Sequence, residues 1–268
     1  MANPVTKAIS ANDVKNGNAV SHVTRGGIIK TLSPPITNSS TGYDMDGRFD
    51  NPRFYGGDSD GLQATTTYTI AAGADDGAAR KSNGGSTNSS YNTGFSNSSA
   101  KNYVGVQDDE GANDYYACYF RFNNIVAEQG ATIQSAYFKF NKVGFSGGTG
   151  DYDFYIAAYD GDNETAPTIA SHLNHSQYTT AEVAWGNNTD TGNGTIRSAA
   201  NGTILSSPDI KTCIQEVVDR PGWSSGNSIV IAFYVKTEAS SSTNWLQLAR
   251  VEMYDDSGDD PAQLEITI

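Results

Sequence analysis

Cysteine and histidine are scarce in this chain of 268 residues, which has two cysteines and three histidines. Cys118 and Cys213 cannot supply a disulfide framework, and both fall on apolar faces of predicted elements, which indicates buried free thiols. A bridge or a metal site is the alternative. His172 and His175 stand in the polar stretch SHLNHSQ, with no carboxylate at metalloprotease spacing. We therefore expect two solvated loop residues, with a metal-binding pair as the alternative.

Signatures of several enzyme classes are also missing. The sequence has no P-loop, no dinucleotide-binding G-x-G-x-x-G and no zinc-protease H-E-x-x-H. Glycosidic cleavage needs only two carboxylates that meet in space, so the sequence leaves that chemistry open, but nothing singles out a pair. We expect a protein that is not an enzyme, with a lyase or glycoside hydrolase as the third alternative.

Basic residues are few, since 17 Lys and Arg oppose 30 Asp and Glu, which gives a net charge of −13. Nucleic-acid binding is not expected, because phosphate contacts need a basic surface. The charge is uneven: residues 1–35 carry four basic side chains and one aspartate, a net +3, and the rest carries −13 − 3 = −16. We interpret residues 1–65 as an extended arm that anchors the protein to an acidic neighbour or to copies of itself, with a disordered tail as the alternative. The candidate anchoring residues are Lys7, Lys15, Arg25 and Lys30.

Long apolar runs are absent too. No stretch of about 18 apolar residues occurs, and the first residues, MANPVTKAISANDVKNG, lack an apolar core of signal-peptide length. A transmembrane segment and a membrane partner are therefore not expected. The start is typical of a protein that is synthesised in a cytoplasm.

Alternation of apolar and polar residues predicts an all-β fold. In residues 115–143, Cys118, Phe120 and Phe122 share one face of a strand, and Phe138 and Phe140 share one face of the next. Many short strands with turn-rich connections predict a β-sandwich over residues 66–268, preceded by the arm. Residues 71–102 are interpreted as a long loop. Further strands are predicted near 65–70, 103–107, 152–159, 202–206, 228–236, 244–252 and 263–268.

One helix is predicted within residues 208–220, PDIKTCIQEVVDR, because apolar residues recur there at helical spacing. Ser207 is the predicted N-cap and Pro208 the first helical residue. The helix is expected to close one open side of the sandwich, with Trp223 packed beside it.

Acidic turns are the clearest sign of a ligand. Several Asp-rich stretches stand beside glycine, and Ca²⁺ takes about six to eight oxygen ligands on flexible turns. Each stretch alone is more typical of a solvated turn, and none has EF-hand spacing, so the expectation of a bound Ca²⁺ rests on the number of such stretches. We expect a structural Ca²⁺ at residues 75–76 or 160–164. The candidate ligands are Asp75, Asp76, Asp160, Asp162 and Glu164.

Tryptophan is the second ligand signal, because exposed aromatic rings on a β-sandwich form platforms for carbohydrate. Trp185, in TAEVAWGNN, is the candidate platform, with a core position as its alternative. Trp223 and Trp245 are flanked by apolar residues and are predicted to be core residues.

The order of these segments resembles a known type of domain. CYFRFNNI, GATIQSAYFKF, SPDIKTCIQEVVDRPGW, SIVIAFYV and DDPAQLEITI follow one another as in the DNRLRE-like jelly-roll domains. That family is related in architecture to carbohydrate-binding modules and occurs in extracellular and viral surface proteins. The resemblance covers about residues 66–268 and implies a jelly-roll sandwich, but it carries over no binding residue.

A jelly roll without a signal sequence, preceded by a basic arm, is similar to phage virion components such as capsid decoration (cement) proteins, fibres and neck appendages. The expected function is a non-enzymatic structural protein on the virion surface, which binds the major capsid protein or other virion proteins and copies of itself. A trimer is an expectation from viral jelly rolls alone. The alternative is a carbohydrate-binding module of a surface or adhesion protein, whose partners are surface glycans.

Overall fold

The structure, a computed structural model, describes most of residues 64–268 and two short strands before them. The described ranges are 21–23, 29–31, 64–81, 91–99, 101–109, 112–147, 153–185, 196–236, 246–256 and 260–268. Packing divides the chain into two units, Met1–Ser59 and Asp60–Ile268. In the first unit, β1 (Ser21–Val23) and β2 (Ile29–Thr31) form an antiparallel pair. The rest of the predicted arm, residues 1–65, lies outside the described residues up to residue 63, and its last two residues lead into the next strand.

The second unit is built from one large antiparallel sheet. Its first strands are β3 (Thr65–Thr69), β4 (Asp76–Lys81), β5 (Thr93–Ser96), β6 (Lys101–Asp109), β7 (Ala112–Phe122) and β8 (Ser135–Gly147). They are followed by β9 (Asp153–Tyr159), β10 (Tyr178–Ala184), β11 (Thr203–Ser206), β12 (Ile229–Lys236), β13 (Leu246–Glu252) and β14 (Gln263–Thr267). The predicted all-β fold is confirmed.

The pairing of the strands makes the sheet long and curled. Its main path runs β10-β9-β12-β7-β6-β13-β8-β14-β3, with β4 paired to β7 and β5, and β11 paired to β8. β13 and β14 both pair with β8, over different stretches of it. β3 and β14, from opposite ends of the unit, lie side by side, and Thr65 Oγ1 is 2.8 Å from Thr267 Oγ1.

The curled sheet folds over so that strands without mutual hydrogen bonds pack face to face. The ring centroids of Phe120 on β7 and Phe138 on β8 are 4.8 Å apart, and those of Phe140 on β8 and Phe233 on β12 are 5.4 Å apart. None of these four rings is more than 1% exposed. Burial of aromatic rings is the largest apolar contribution in a sandwich core, so these contacts hold its two layers together. The predicted jelly-roll-like β-sandwich is confirmed.

The helix, α1 (Lys211–Val218), is shorter than predicted and begins three residues after Pro208. Ser207 is not its N-cap, because the Ser207 hydroxyl accepts from the backbone N–H of Phe138 and donates to the Pro208 carbonyl. Asp209 Oδ1 instead accepts from the N–H groups of Lys211 and Ala136. The backbone N–H groups of strand β8 therefore compete with those of the helix for the side chains that precede the helix.

Two strands lie where a long loop was predicted. β4 and β5 fall inside residues 71–102, and β4 pairs with β7 over six residue pairs from Asp76–Phe120 to Lys81–Tyr115. The loop prediction is therefore wrong for these segments. DGAARK has little β-propensity of its own, but it completes the hydrogen bonds of a buried central strand. The sequence pattern also missed β1, β2 and β10.

The two cysteines are buried and free, as predicted. No helix in the described ranges is long and apolar enough to cross a membrane.

Candidate functional site

The first predicted calcium turn, residues 75–76, places its two aspartates in different surroundings. Asp75 ends a 3₁₀ turn and is 5% exposed, and Asp76 begins β4 and is 1% exposed. Each has its own partners.

Asp75 belongs to a buried polar network beside β7. Its Oδ1 binds Arg121 Nη1 at 2.9 Å, and its Oδ2 accepts from Asn123 Nδ2 at 3.0 Å. Arg121 also donates to Ser228 Oγ at 2.9 Å and to the Glu164 carbonyl at 2.8 Å. The carboxylate is thus neutralised by a guanidinium, which takes the place that a cation would occupy.

Asp76 lies among acids. Its Oδ2 accepts from the backbone N–H of Tyr254 at 2.8 Å, and it stands in register with Phe120 of the core. Burial, followed by the charges of Asp255 and Asp75, raises the pKa of Asp76 to about 7. The loss of water around the carboxyl is the largest cause, since a low-dielectric site disfavours the charged form.

An acidic cavity lies next to the hydrogen bond between the Tyr254 N–H and Asp76. It has a volume of about 360 Å³ and is lined by Met253, Tyr254, Asp256, Asp260 and Pro261. Asp256 binds Lys101 at 3.2 Å. These acids were among the Asp-rich turns of the sequence, but they were not among the candidate ligands.

The second predicted calcium turn, residues 160–164, is held by one arginine. Arg220 Nε donates to Asp162 Oδ1 at 2.7 Å, and Arg220 Nη1 contacts Asp160 Oδ1. These hydrogen bonds, that to Asp162 first, raise the pKa of Arg220. The Glu164 backbone carbonyl accepts from Arg121 Nε, and the Glu164 carboxylate lies over Gly161 of the same turn, since a Cβ on Gly161 would clash with Glu164 Oε1.

The candidate calcium ligands are therefore not brought together. Within the described part of the chain, no group of three or more His, Cys, Asp or Glu residues is close enough to hold a metal ion. Asp75, Asp160 and Asp162 are each paired with an arginine. The donor sets at 75–76 and 160–164 do not fit Ca²⁺ in this arrangement, and a structural calcium remains a prediction.

The two loop histidines differ from each other. His172 is exposed, as predicted, and its Nδ1 accepts from the Thr168 N–H at 3.2 Å. His175 is half-buried, with its ring centroid 4.6 Å from that of Tyr234 and 5.2 Å from that of Tyr178. The prediction of a solvated side chain is wrong for His175, because a cluster of tyrosines covers it.

Trp185 is a core residue and not an exposed platform. It is 5% exposed and lies 5.3 Å from Phe140 and 5.5 Å from Phe233, measured between ring centroids. A ring with both faces in such contacts has no surface for a sugar. Trp223 is buried as predicted and donates from Nε1 to the Ala127 carbonyl at 2.9 Å, and Trp245 lies outside the described residues.

Exposed aromatic surface is found elsewhere, on a patch that we call the tyrosine face: Tyr103, Tyr116 and Arg250. Tyr103 is 38% exposed, and its ring meets that of Tyr116 edge-on at 6.1 Å. The guanidinium carbon of Arg250, an exposed residue, lies 5.6 Å from the Tyr103 ring centroid. No carboxylate of the described residues forms an ion pair with Arg250. The sequence carries a faint signal for this patch, because Tyr103 and Arg250 alternate with buried residues of their strands.

A serine-hydrolase motif also occurs, in three places. Residues 57–61, 144–148 and 222–226 read G-x-S-x-G. A nucleophile elbow needs a sharp strand-to-helix turn, but Ser146 lies inside strand β8, paired with Leu248, and Ser224 lies between helix α1 and strand β12. Residues 57–61 lie outside the described residues. The matches at Ser146 and Ser224 therefore reflect composition.

The candidate anchoring residues cannot be placed as a group. Lys7, Lys15 and Arg25 lie outside the described residues, and Lys30 is described only as a residue of β2, in register with His22. No protein-family model matches the chain, and a search of curated proteins finds no matching sequence.

Proposed function

We propose that this protein is a non-enzymatic structural component of a virion surface, anchored by its N-terminal segment and displaying the sandwich outward. The observation that carries the proposal is the division of the chain into a basic beginning and a separate acidic body. Residues 1–35 carry +3 and residues 36–59 carry −2, so the unit Asp60–Ile268, which packs by itself and contains the sandwich, carries −13 − 3 + 2 = −14. A self-contained body with an oppositely charged extension suits attachment to an acidic particle surface.

The polar chemistry of the sandwich supports a mechanical role. The Arg121–Asp75 pair joins strand β7 to the 3₁₀ turn before β4, and Arg220 joins the end of α1 to the 160–162 turn. These ion pairs hold loops against the sheet. The aspartates that take part in them are engaged by arginine, so fewer carboxylates remain for a reaction. A rigid body of this kind suits display on a particle exposed to solvent.

The proposal is tested by co-sedimentation with parent virions from which the protein has been stripped. Changing the four basic residues Lys7, Lys15, Arg25 and Lys30 to glutamate should abolish binding and leave the sandwich folded, as judged by circular dichroism. A matched control changes basic residues of the sandwich, Lys139 and Lys211, to glutamate and should bind normally. Full binding by the arm variant would contradict the anchoring role.

A second candidate function, carbohydrate binding, is favoured by the tyrosine face. The exposed ring of Tyr103 and the half-buried ring of Tyr116 lie beside a guanidinium that no carboxylate of the described residues pairs with. They offer an apolar surface and hydrogen-bond donors, which are the groups that a sugar ring needs. Tyr103→Ala should abolish binding on a glycan array, and Tyr254→Ala should not, although Tyr254 is exposed to a similar degree, 42%. Equal signals from the two variants would exclude the face as the binding site.

A further inference from the structure

Strand β3 lies at one end of the sheet, and its outer edge has no partner among the described strands. It pairs only with β14, and the main path of the sheet ends at this pair. The backbone N–H of Ile268 donates to the Ala64 carbonyl at 3.3 Å, at the start of the same pairing. Successive residues of an antiparallel strand direct their backbone groups to opposite sides, so the even-numbered residues of β3 face β14. The N–H and C=O groups of Thr65, Thr67 and Thr69 therefore point to the open edge.

The open edge of β3 has none of the features that usually protect a strand edge from pairing. Its five residues, TTTYT, contain no charge, proline or glycine, and their register with β14 is unbroken. The four threonines are exposed, whereas Tyr68 is buried, and its hydroxyl accepts from the Val126 N–H at 2.9 Å. Threonine favours extended backbone, and Tyr68 holds the strand in place, so β3 is a preformed template for another strand.

Other edges of the described sheet are protected. β10 lies at the opposite end of the main path, and its register with β9 shifts between Tyr178 and Glu182. There the Glu216 carboxylate of α1 accepts from the N–H groups of Thr180 and Ala181, at 2.7 and 2.8 Å. The pairing of β5 is also shifted in register, and β11 is only four residues long. Irregular, short and covered edges are the usual means by which sheets avoid association, so β3 differs from these strands as an edge suited to binding.

We propose that β3 binds β3 of a second copy of this chain, as an antiparallel pair centred on Thr67. In this register Thr67 faces its counterpart and Thr65 faces Thr69, so the backbone groups on the two open edges meet. Facing residues of this kind exchange both of their backbone hydrogen bonds. The arrangement has two-fold symmetry and uses the β3 edge of both copies, so it closes at a dimer.

The composition of β3 favours a second copy as the partner. The strand is self-complementary, because antiparallel pairing sets threonine against threonine on its exposed face, a combination that stabilises cross-strand pairs. The strand is uncharged, and Glu265, which lies beside Thr67 on β14, is bound to Lys139 at 2.7 Å. Two copies of an acidic body can therefore meet at this edge without like charges opposite each other.

The size of the contact sets the expected affinity. β3 offers five residues, whereas a standard stable interface contains about 20–30 residues a side. We therefore expect a weak dimer, with a Kd of about 0.1 mM. Such a dimer forms where copies are concentrated.

Sedimentation equilibrium of the full chain tests the pairing. The wild type should be monomeric at about 10 μM and mostly dimeric at about 1 mM. Thr67→Lys and Thr67→Glu each place like charges opposite each other at the centre of the pair, so each variant alone should stay monomeric over that range. Mixed in equal amounts, the two variants should form a dimer, because a basic side chain then faces an acidic one. Thr67→Val, the matched control, keeps the backbone groups and the charge and should dimerise as the wild type does.

Three results would overturn the proposal. A wild type that stays monomeric at about 1 mM would leave an extended segment of another protein as the occupant of the edge. A dimer that neither charged variant weakens, or a mixture of the two that does not associate, would place the contact elsewhere or in another register. The pairing does not rest on the proposed function, and the arm variant used above to test anchoring should dimerise as the wild type does. Failure of the dimer and failure of anchoring are therefore distinguishable.

Discussion

Arg121 Nη1 lies 2.9 Å from Asp75 Oδ1, and both side chains are largely buried, with 23% and 8% of their surfaces exposed. The pair joins the central strand β7 to the turn that precedes β4, and Asn123 and Ser228 satisfy further atoms of the two partners. A buried pair of this kind tolerates poorly the loss of one member, because the other remains as an uncompensated charge.

Arg121→Met should therefore be strongly destabilising. Leaving Asp75 charged and unpaired is expected to lower the free energy of unfolding by about 3 kcal/mol. Urea denaturation at pH 7 measures this change. Asp75→Asn in the Arg121→Met background should recover part of the loss, since it removes the stranded charge. A double variant no more stable than Arg121→Met would show that the cost is lost packing.

Arg220→Ala is expected to have a much smaller effect. Arg220 is 30% exposed and its partners Asp160 and Asp162 are 44% and 43% exposed, so solvent screens both ion pairs. The expected loss is about 1 kcal/mol or less. The same urea titration checks it, with 1 M NaCl as a further condition in which the difference from wild type should shrink. A loss as large as that of Arg121→Met would mean that the 160–162 turn is structurally essential.

The Phe138→Ala variant should show how much of the free energy of unfolding comes from packing between the two layers of the sandwich. The ring contacts those of Phe120, Phe122, Phe140 and Phe233, and its removal leaves a cavity that these rings cannot fill. A loss of about 3–5 kcal/mol is expected from thermal or chemical unfolding. Val126→Ala, at a residue that is 63% exposed, is the control and should stay within about 0.5 kcal/mol of the wild type.

Both thiols should be unreactive in the native protein. Burial raises the pKa of Cys118 well above its usual value and that of Cys213 to about 11, so neither thiolate forms near pH 8. Ellman's reagent should label no cysteine in buffer at pH 8 and two in guanidinium chloride. Rapid labelling of one thiol before unfolding would indicate local opening of its strand or helix.

The sequence predicted the core well because its signal there is strong and local. Phe120, Phe122, Phe138 and Phe140 alternate with polar residues, and alternation places side chains on one face whatever the neighbouring strand is. The strand β4 could not be predicted in this way. DGAARK reads as a turn, and only the unpaired edge of β7 makes it a strand.

The candidate sites were harder to predict from the sequence, because what a polar side chain binds depends on which residues lie near it in the folded structure. Asp75 and Asp76 read as two calcium ligands, but one is bound to Arg121, 46 residues away in the chain, and the other is buried against Tyr254, 178 residues away. Trp185 was the candidate platform because β-sandwiches can bind carbohydrate through exposed aromatic rings, with a core position as its alternative. Its position against Phe140 depends on β8, which no local pattern around Trp185 shows.

The pairing of β3 with β14 sets the order in which this chain can be completed. Thr65 and Thr267 are 202 residues apart, so this pair of strands cannot form until nearly the whole sandwich has been synthesised. Until then, β8 lacks the strand that β14 supplies along residues 135–139. Contacts of such high sequence separation slow folding and leave strand edges exposed in the meantime. A chain that ends shortly before residue 263 should therefore aggregate. The rate of translation, or a chaperone bound to the nascent chain, would change the extent of this aggregation.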